Sequence, residues 1–560
     1  MKKVLSVLIC VLIAFSAFSV CAFAEEKNES ELETALENLE RDVPLIYVVG
    51  LGGQYYSGIL TETEEDDVRI WEPTGEIILP VLKEYGFSLV WNILKKDYVA
   101  ANQVLAKVAD GVFGPFSCNA DGVPDPDTAK KEHCTDTLQK VNGYDNTYTF
   151  LYDWRLDVVT LAEQLGDYVQ QVMELTGSDK VAFVAASMGN SILMTYLYKS
   201  FYTQQDGMDF VHSAVFVAGT MNGAASCEDP FSLQMTMDAE SIVRYVECLA
   251  GRSVILRALY SLGIFEPVLS YVRSLVDGIA ANGLYDAIET TLATISGFHA
   301  LMSAESYEKV RAYMYDTAEK QEKFAKILES SDYFHREVQP HNADIIQKLI
   351  AEGKNVAVFS QYGYSLLPIT SDNARLSDGT IAVDRTSFGA TCSELDGTLG
   401  ENYVQAVDCA CGESHLSPDG QIDASTCCFA DVTWFGKKMF HVFDAELLAT
   451  LVDLVTYSEE QITVHTFEEL PQFLVREGDT LIPMTSENCP TAISIEQSIA
   501  QDEEALQMAN KIKIIAIAVL VVLILITVGI VLLIVRCVRK RRQRKKSKLP
   551  EALGEEISVQ

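Results

Sequence analysis

The sequence predicts an α/β fold, a mostly parallel sheet covered by helices on both faces, and three observations predict it. Short apolar runs of strand type, at 43–49, 147–152, 180–185 and 213–219, alternate with stretches at helical spacing. The first run ends in a glycine turn, Gly50-Leu-Gly-Gly53, a frequent start to such a sheet. The third delivers Ser187 into a tight Ala-x-Ser-x-Gly turn, and an amphipathic stretch at 191–200 follows. Strands that alternate with helices stack as parallel neighbours, because each helix carries the chain back across the sheet.

The elements follow in order. Residues 25–42 read as an acidic, loosely packed leader, and residues 43–485 as the α/β domain. The segment 156–176 is an amphipathic helix with apolar residues at 158, 159, 161, 165, 169 and 172. From about 220 to 340 helical periodicity dominates, with Leu256, Leu259, Leu262, Val268 and Leu269 among the apolar positions, which predicts a helical cap over the sheet. Strands return at 355–361 and 432–435, and a helix at 445–457 closes the domain. Residues 390–430 form a cysteine-rich insertion, and the polar, acidic segment 486–510 reads as a stalk.

Both ends carry targeting signals. Lys2 and Lys3 precede an apolar run at 4–20, and Ala22-Phe-Ala24 supplies a small-x-small cleavage pattern, so residues 1–24 read as a secretory signal peptide. A lipoprotein reading at Cys21 fits less well, because Phe18 and Val20 stand where a lipobox wants an aliphatic and a small residue. Residues 514–535 are apolar apart from Thr527 and Gly529, long enough to span a hydrocarbon core of roughly 30 Å. Arg536, Arg539, Lys540, Arg541 and Arg542 open the basic segment 536–560, which the positive-inside rule places in the cytoplasm. The expectation is a single-pass membrane protein with residues 25–510 outside.

The 79 acidic residues outweigh 43 basic ones, a net charge of −36, which argues against nucleic acid as a partner. Thirteen cysteines are present; Cys10, Cys21 and Cys537 lie in the end segments, and the others fall at 118, 134, 227, 248, 392, 409, 411, 427, 428 and 489. An even number in an oxidising compartment favours disulfides. Zinc is the competing reading for Cys409-x-Cys411 with Cys427, Cys428 and His415, but these spacings are not the paired C-x-x-C of a zinc ribbon, so no metal ligands and no cofactor are assigned. Asn28-Glu-Ser30 is a glycosylation sequon.

The turn at Ser187 suits a nucleophile. Small residues must flank such a serine at minus two and plus two, and Ala185 and Gly189 meet that demand, Ala185 in place of the commoner glycine. A serine nucleophile needs a base within hydrogen-bond reach and a carboxylate that orients it. His441 follows a strand and turn and precedes the closing helix, the place where the base belongs. For the acid, Asp378 in Asp378-Gly-Thr-Ile381 is preferred because it lies in a strand-end loop; Asp396, in a second Asp-Gly-Thr, and Asp384 remain alternatives. The oxyanion needs two backbone N–H donors, one expected from Met188 and the other from Leu51 or Gly52. Gly50–Gly53 lacks the spacing of a dinucleotide site.

Phe150-Leu-Tyr-Asp-Trp-Arg155, shortly before a helix and the serine turn, resembles the lecithin:cholesterol acyltransferase family, which includes lysosomal phospholipases and phospholipid:diacylglycerol acyltransferases. The resemblance covers roughly residues 43–460 and implies an α/β-hydrolase fold. In the family's order, residues 45–53 resemble its oxyanion segment, Cys118 and Cys134 its disulfide-closed lid loop, and Ser187 its nucleophile. Phe359-Ser-Gln-Tyr-Gly363 resembles the strand and turn before the acid, and Asp378-Gly-Thr-Ile its Asp-Gly-Thr-Val, which adds to the preference for Asp378 over Asp396. Ala186 departs from the family, which has histidine before the nucleophile, and the interval from Asp378 to His441 is longer and holds five cysteines.

The expected function is a membrane-anchored serine lipase, phospholipase or O-acyltransferase acting on glycerolipid esters through an acyl-enzyme, with Trp154 shaping the substrate pocket and no cofactor. Two alternatives stand beside it: a surface binding protein on a hydrolase scaffold that has lost activity, and a hydrolase of soluble esters or peptides.

Overall fold

The computed structural model describes residues 31–57, 68–131, 146–204, 207–409 and 411–519. The signal segment 1–24, the basic segment 536–560 and most of the apolar run 514–535 lie outside the described residues, as does Cys134. Thirteen strands occur among the described residues: β1 (Leu45–Val48), β2 (Gln54–Ser57), β3 (Val68–Trp71), β4 (Thr128–Lys131), β5 (Thr147–Phe150), β6 (Val181–Ala186), β7 (Val211–Val217), β8 (Asn355–Tyr362), β9 (Thr391–Cys392), β10 (Ile422–Asp423), β11 (Thr433–Lys437), β12 (Phe473–Glu477) and β13 (Thr480–Pro483).

Eight of them form a central sheet in the order β13-β12-β11-β8-β7-β6-β1-β5. Every neighbouring pair is parallel except β12 and β13, which are antiparallel at one edge. The protein is therefore mixed α/β with a mostly parallel sheet. β1, β6 and β8 are buried along their whole length, which is why they read as continuous apolar runs: helices cover both faces of a parallel sheet.

The helices on the sheet start and stop where local chemistry directs. Helix Val158–Thr176 begins where the Asp157 carboxylate accepts the Val159 and Thr160 N–H groups, and ends at Gly177 with φ 70°. Its apolar face, Leu161, Leu165, Val169 and Val172, is buried. Helix Ala445–Tyr457 is capped in the same way by Asp444, which accepts the Leu447 N–H. The helix after Ser187 runs Met188–Tyr198 and is not amphipathic: all its residues except Tyr196 are buried, because it lies at the centre of the molecule.

Between β7 and β8 the chain is helical, with Ala239–Ala250, Val254–Ser261, Phe265–Ala280, Ala304–Met314 and Ala325–Tyr333 the longer pieces. Part of this region builds a core of its own from Tyr285, Met302, Tyr307, Tyr315, Phe324 and Ile327. Between β1 and β5 stand a three-stranded sheet, β3-β2-β4, and a helical pair, Gly75–Leu94 and Tyr98–Phe113. The second of these is tied to the region after β7 by Asn102, whose Nδ2 donates to the Ile279 and Asn282 carbonyls at 2.8 and 2.7 Å. Among the described residues, Gly75–Leu94 is by itself long and apolar enough to cross a membrane, and none of its residues is buried.

Two terminal expectations are corrected. The described part of the acidic leader, from residue 31, is packed: residues Glu31–Glu37 form a helix whose Leu32, Ala35 and Leu36 rest on the main core, and Arg41 pairs with Asp453 at 3.6 Å. The segment 486–510 is not a free stalk. Cys489, Ile499 and Ala505 are buried, and Asp502 accepts from Arg252 at 2.6 Å and from Arg257 at 3.1 Å. Scattered apolar residues, too few to make a periodic face, were enough once ion pairs joined them. Of the expected disulfides, Cys409 and Cys411 form the one bonded pair among the described residues; Cys227, Cys248, Cys392, Cys427, Cys428 and Cys489 carry free thiols. Burial pushes the Cys227 and Cys427 thiols up to about 12.

Candidate active site

The carboxyl ends of β1, β6, β8 and β11 converge on one place, the usual position for chemistry in an open parallel sheet. Ser187 stands at the end of β6 with φ 49° and ψ −122°, a backbone conformation that costs a non-glycine residue of the order of 1–3 kcal/mol. The surroundings hold it there. The Ser187 N–H donates to the Val217 carbonyl at 3.0 Å, and the Ser187 carbonyl accepts from Asn190 Nδ2 at 3.1 Å and Thr220 N at 3.3 Å. Asn190 Nδ2 also reaches the Val217 carbonyl at 3.1 Å.

Two glycines make room for the turn. A methyl group on Gly50 would stand 2.9 Å from Ser187 Cβ, and one on Gly189 would stand 2.6 Å from the Val49 carbonyl and press on that of Val48. The plus-two glycine is therefore required by the end of β1, not by the serine's own strand. Tyr152 holds that end in place by donating its hydroxyl to the Val49 carbonyl at 2.8 Å.

His441 lies in the loop between β11 and helix Ala445–Tyr457, and its Nε2 is 2.9 Å from Ser187 Oγ. Its Nδ1 is 2.7 Å from Asp378 Oδ2. A carboxylate accepts, so Nδ1 carries the hydrogen and Nε2 presents its lone pair to the serine hydroxyl. Asp378 is fully buried in the loop after β8, and its other oxygen accepts the Thr380 and Ile381 N–H groups at 2.9 and 2.7 Å. The His441 N–H donates to the Asp378 carbonyl at 2.9 Å, which joins the two loops by backbone as well as side chain.

The two other candidate acids are elsewhere. Asp396 accepts from Arg244 at 3.4 Å and from the Ile495 N–H at 3.0 Å, and Asp384 pairs with Arg375. Met188 is the first residue of its helix, so its N–H has no acceptor within the helix. In the turn after β1, Gly50 is the glycine pressed against Ser187, with Leu51 next in the chain; a methyl group on Gly52 would touch nothing within 4 Å.

Trp154 is fully buried, so it presents no surface to a substrate. It packs edge-on against Tyr55, Trp71 and Phe298 and tilted against Phe116. Its carbonyl abuts Gly297, where a methyl group would also stand 3.3 Å from Met188 Cε, so this cluster backs directly onto the Ser187 turn. Arg155 is buried beside it, forked on Asp153 at 3.0 and 2.6 Å and stacked 4.8 Å from the Tyr55 ring. Asp153 thus holds the loop through Arg155. Sequence reasoning missed Asn190 and Tyr152 as supports of the turn. The only signal for Asn190 was its place one turn into the helix after the serine.

No family model matches the chain, and no curated protein matches it. Fifteen chains of solved structures do. One, described as "The crystal structure of Tle4-Tli4 complex", is 12% identical, with 57% of this chain and 75% of that chain covered and a TM-score of 0.21. A shape likeness that low carries no argument about this protein.

Proposed function

We propose that this chain is a serine hydrolase or acyltransferase of the α/β-hydrolase type, related to the lecithin:cholesterol acyltransferase family and acting on glycerolipid esters. The observation that carries the reading is the relay from Ser187 Oγ through His441 to Asp378, at 2.9 and 2.7 Å. Ser187 Oγ attacks the ester carbonyl as His441 Nε2 removes its proton, and Asp378 holds the ring and stabilises the imidazolium. The Met188 N–H, with Leu51 or Gly52, donates to the oxyanion of the tetrahedral intermediate. His441 returns the proton to the leaving alcohol, and water or a second lipid alcohol then takes the acyl group from Ser187 by the same steps reversed.

The lipid class is supported by helix Gly75–Leu94. Phe87 is 80% and Trp91 49% exposed, with Leu79, Val90 and Leu94 exposed near them. Apolar surface of that extent suits contact with a bilayer. The expected apolar span at 514–535 would keep the domain beside such a substrate.

A fluorophosphonate probe, followed by labelled phospholipid vesicles with and without an alcohol acceptor, tests the reading. The full-length protein is expected to be labelled, to lose labelling in Ser187→Ala, and to release or transfer fatty acid. Labelling that survives Ser187→Ala would overturn the nucleophile. Labelling with turnover of short-chain esters alone would overturn the lipid class.

A further inference from the structure

A second cluster of reactive side chains lies at the opposite end of β11 from His441. Cys409, Cys411, His415 and Asp431 each bring one ligand-type atom to within 4.8 Å of all the others. Cys411 Sγ is 3.4 Å from His415 Nε2, Cys409 Sγ is 3.7 Å from Asp431 Oδ1, and His415 Nε2 is 3.8 Å from that same oxygen. Ligands at zinc bond lengths in a tetrahedron stand about 3.3–3.8 Å apart, the range in which these three distances fall; the two sulfurs, at bonding distance, would have to separate to about 3.8 Å.

The orientation of His415 is the second observation. Its side chain is fully buried, and its Nδ1 lies 2.7 Å from Gln472 Oε1. Gln472 Nε2 donates to the Ala430 and Thr433 carbonyls at 2.8 and 3.1 Å, so the amide oxygen must be the atom facing the histidine. His415 Nδ1 therefore carries the hydrogen, and the Nε2 lone pair points at two sulfurs and a carboxylate. A buried ring held through its far nitrogen, with the near one aimed at other donors, is the arrangement of a metal ligand. The sulfurs are prepared in the same sense, since Cys409 Sγ accepts the Cys411 N–H and Cys411 Sγ the Glu413 N–H, both at 3.3 Å. His465 Nε2 stands 3.7 Å from Asp431 Oδ1, the same oxygen.

We propose that Cys409, Cys411, His415 and Asp431 bind a zinc ion, with both cysteines as thiolates. Thiolate and imidazole ligands together select zinc over the hard divalent cations. The two sulfurs are placed as a bonded pair, so the disulfide and the zinc site are alternative states of one cluster: an external dithiol reductant gives two electrons to the disulfide, is itself oxidised to a disulfide, and leaves the two thiolates that zinc binds. A disulfide between residues only two apart in sequence closes too short a loop to restrain the chain, since that benefit grows with loop length. Zinc would tie the loop carrying Cys409, Cys411 and His415 to Asp431, in the turn that leads into β11, and so fasten the cysteine-rich insertion to the sheet. Cys427 and Cys428 are not part of the cluster; Asp431 takes their place.

The test uses the full-length protein purified in detergent. Bound metal is measured by mass spectrometry, and the reduced protein is titrated with cobalt and read by its thiolate-to-metal absorption. About one zinc per chain as isolated, or a cobalt–thiolate band after reduction, supports the site. Either signal must vanish in the Cys409→Ser, Cys411→Ser double variant. Asp431→Asn provides the second variant: its side chain is 57% exposed, so the fold survives, and metal affinity is expected to drop about tenfold or more. A metal-free protein that gives no cobalt–thiolate band after reduction overturns the proposal, as does metal retained by the double serine variant.

Discussion

His441 Nε2 lies 2.9 Å from Ser187 Oγ although 254 positions of chain separate the two residues. β11 and β6 deliver them from different parts of one parallel sheet, and the loop after β8 adds Asp378 behind the histidine.

That geometry separates three carboxylates by experiment. Asp378→Asn is expected to lower kcat about a thousandfold or more with little change in KM, because the ring loses the partner that fixes its tautomer. Asp396→Asn and Asp384→Asn, which each weaken one ion pair, of Arg244 and of Arg375, should leave kcat within about threefold if the fold is intact. Kinetics on a short-chain ester and on vesicles measure this, and a large kcat loss in Asp396→Asn would reassign the acid.

The glycines of the two turns that meet at Ser187 differ in what they tolerate. Gly189→Ala drives a methyl group into the Val48 and Val49 carbonyls and should destabilise the protein by about 1–3 kcal/mol, with loss of probe labelling. Gly50→Ala meets Ser187 itself and should cost activity more than stability. Gly52→Ala meets nothing and should change stability by less than about 0.5 kcal/mol. Denaturant melts and fluorophosphonate labelling of the three variants rank them.

Phe87 and Trp91 stack at 6.2 Å on the exposed face of helix Gly75–Leu94. Replacing both with serine should weaken binding to phospholipid vesicles about tenfold or more while leaving Tm unchanged, since neither side chain supports the core. Vesicle flotation checks the first and thermal unfolding the second; unchanged flotation would remove this helix from membrane contact.

Acid should destabilise the region after β7 through two histidines. Burial pushes His299 down to about 3 and His335 to about 4, with Asp332 opposing the shift in both. The unfolded chain takes up protons below about 6.5 that the folded protein refuses. Stability is therefore full above about 6.5 and falls as pH drops from there towards 4 and then 3. Tm measured across that window should fall less steeply in His335→Gln than in the unaltered protein, and equal slopes would remove His335 as a cause.

The sheet was legible because its strands are buried on both faces and so read as short apolar runs at the right intervals. Ser187 was legible because only small residues fit beside it. The helical pair at 75–113 was not, since Gly75–Leu94 is apolar without a core to face and gives no one-sided periodicity. The packing of 486–510 was hidden for a related reason: it rests on a few scattered apolar residues, Cys489, Ile499 and Ala505, and on ion pairs from Arg252 and Arg257, none of which has a sequence period.

By itself the sequence determined local features: six of the eight strands of the central sheet, β12 and β13 excepted, the helices at 156–176 and 445–457 that Asp157 and Asp444 cap, and the turn between small residues at Ser187. Those follow from burial, capping and steric demands felt within a few residues. Only the tertiary structure decided which aspartate meets His441, because Asp378 and Asp396 share the same Asp-Gly-Thr and differ only in where the sheet carries them. It also decided that Gly50, not Gly52, presses on Ser187, and that Asp431 rather than Cys427 joins Cys409, Cys411 and His415. Such pairings depend on long-range register between strands, and no spacing along the chain encodes that.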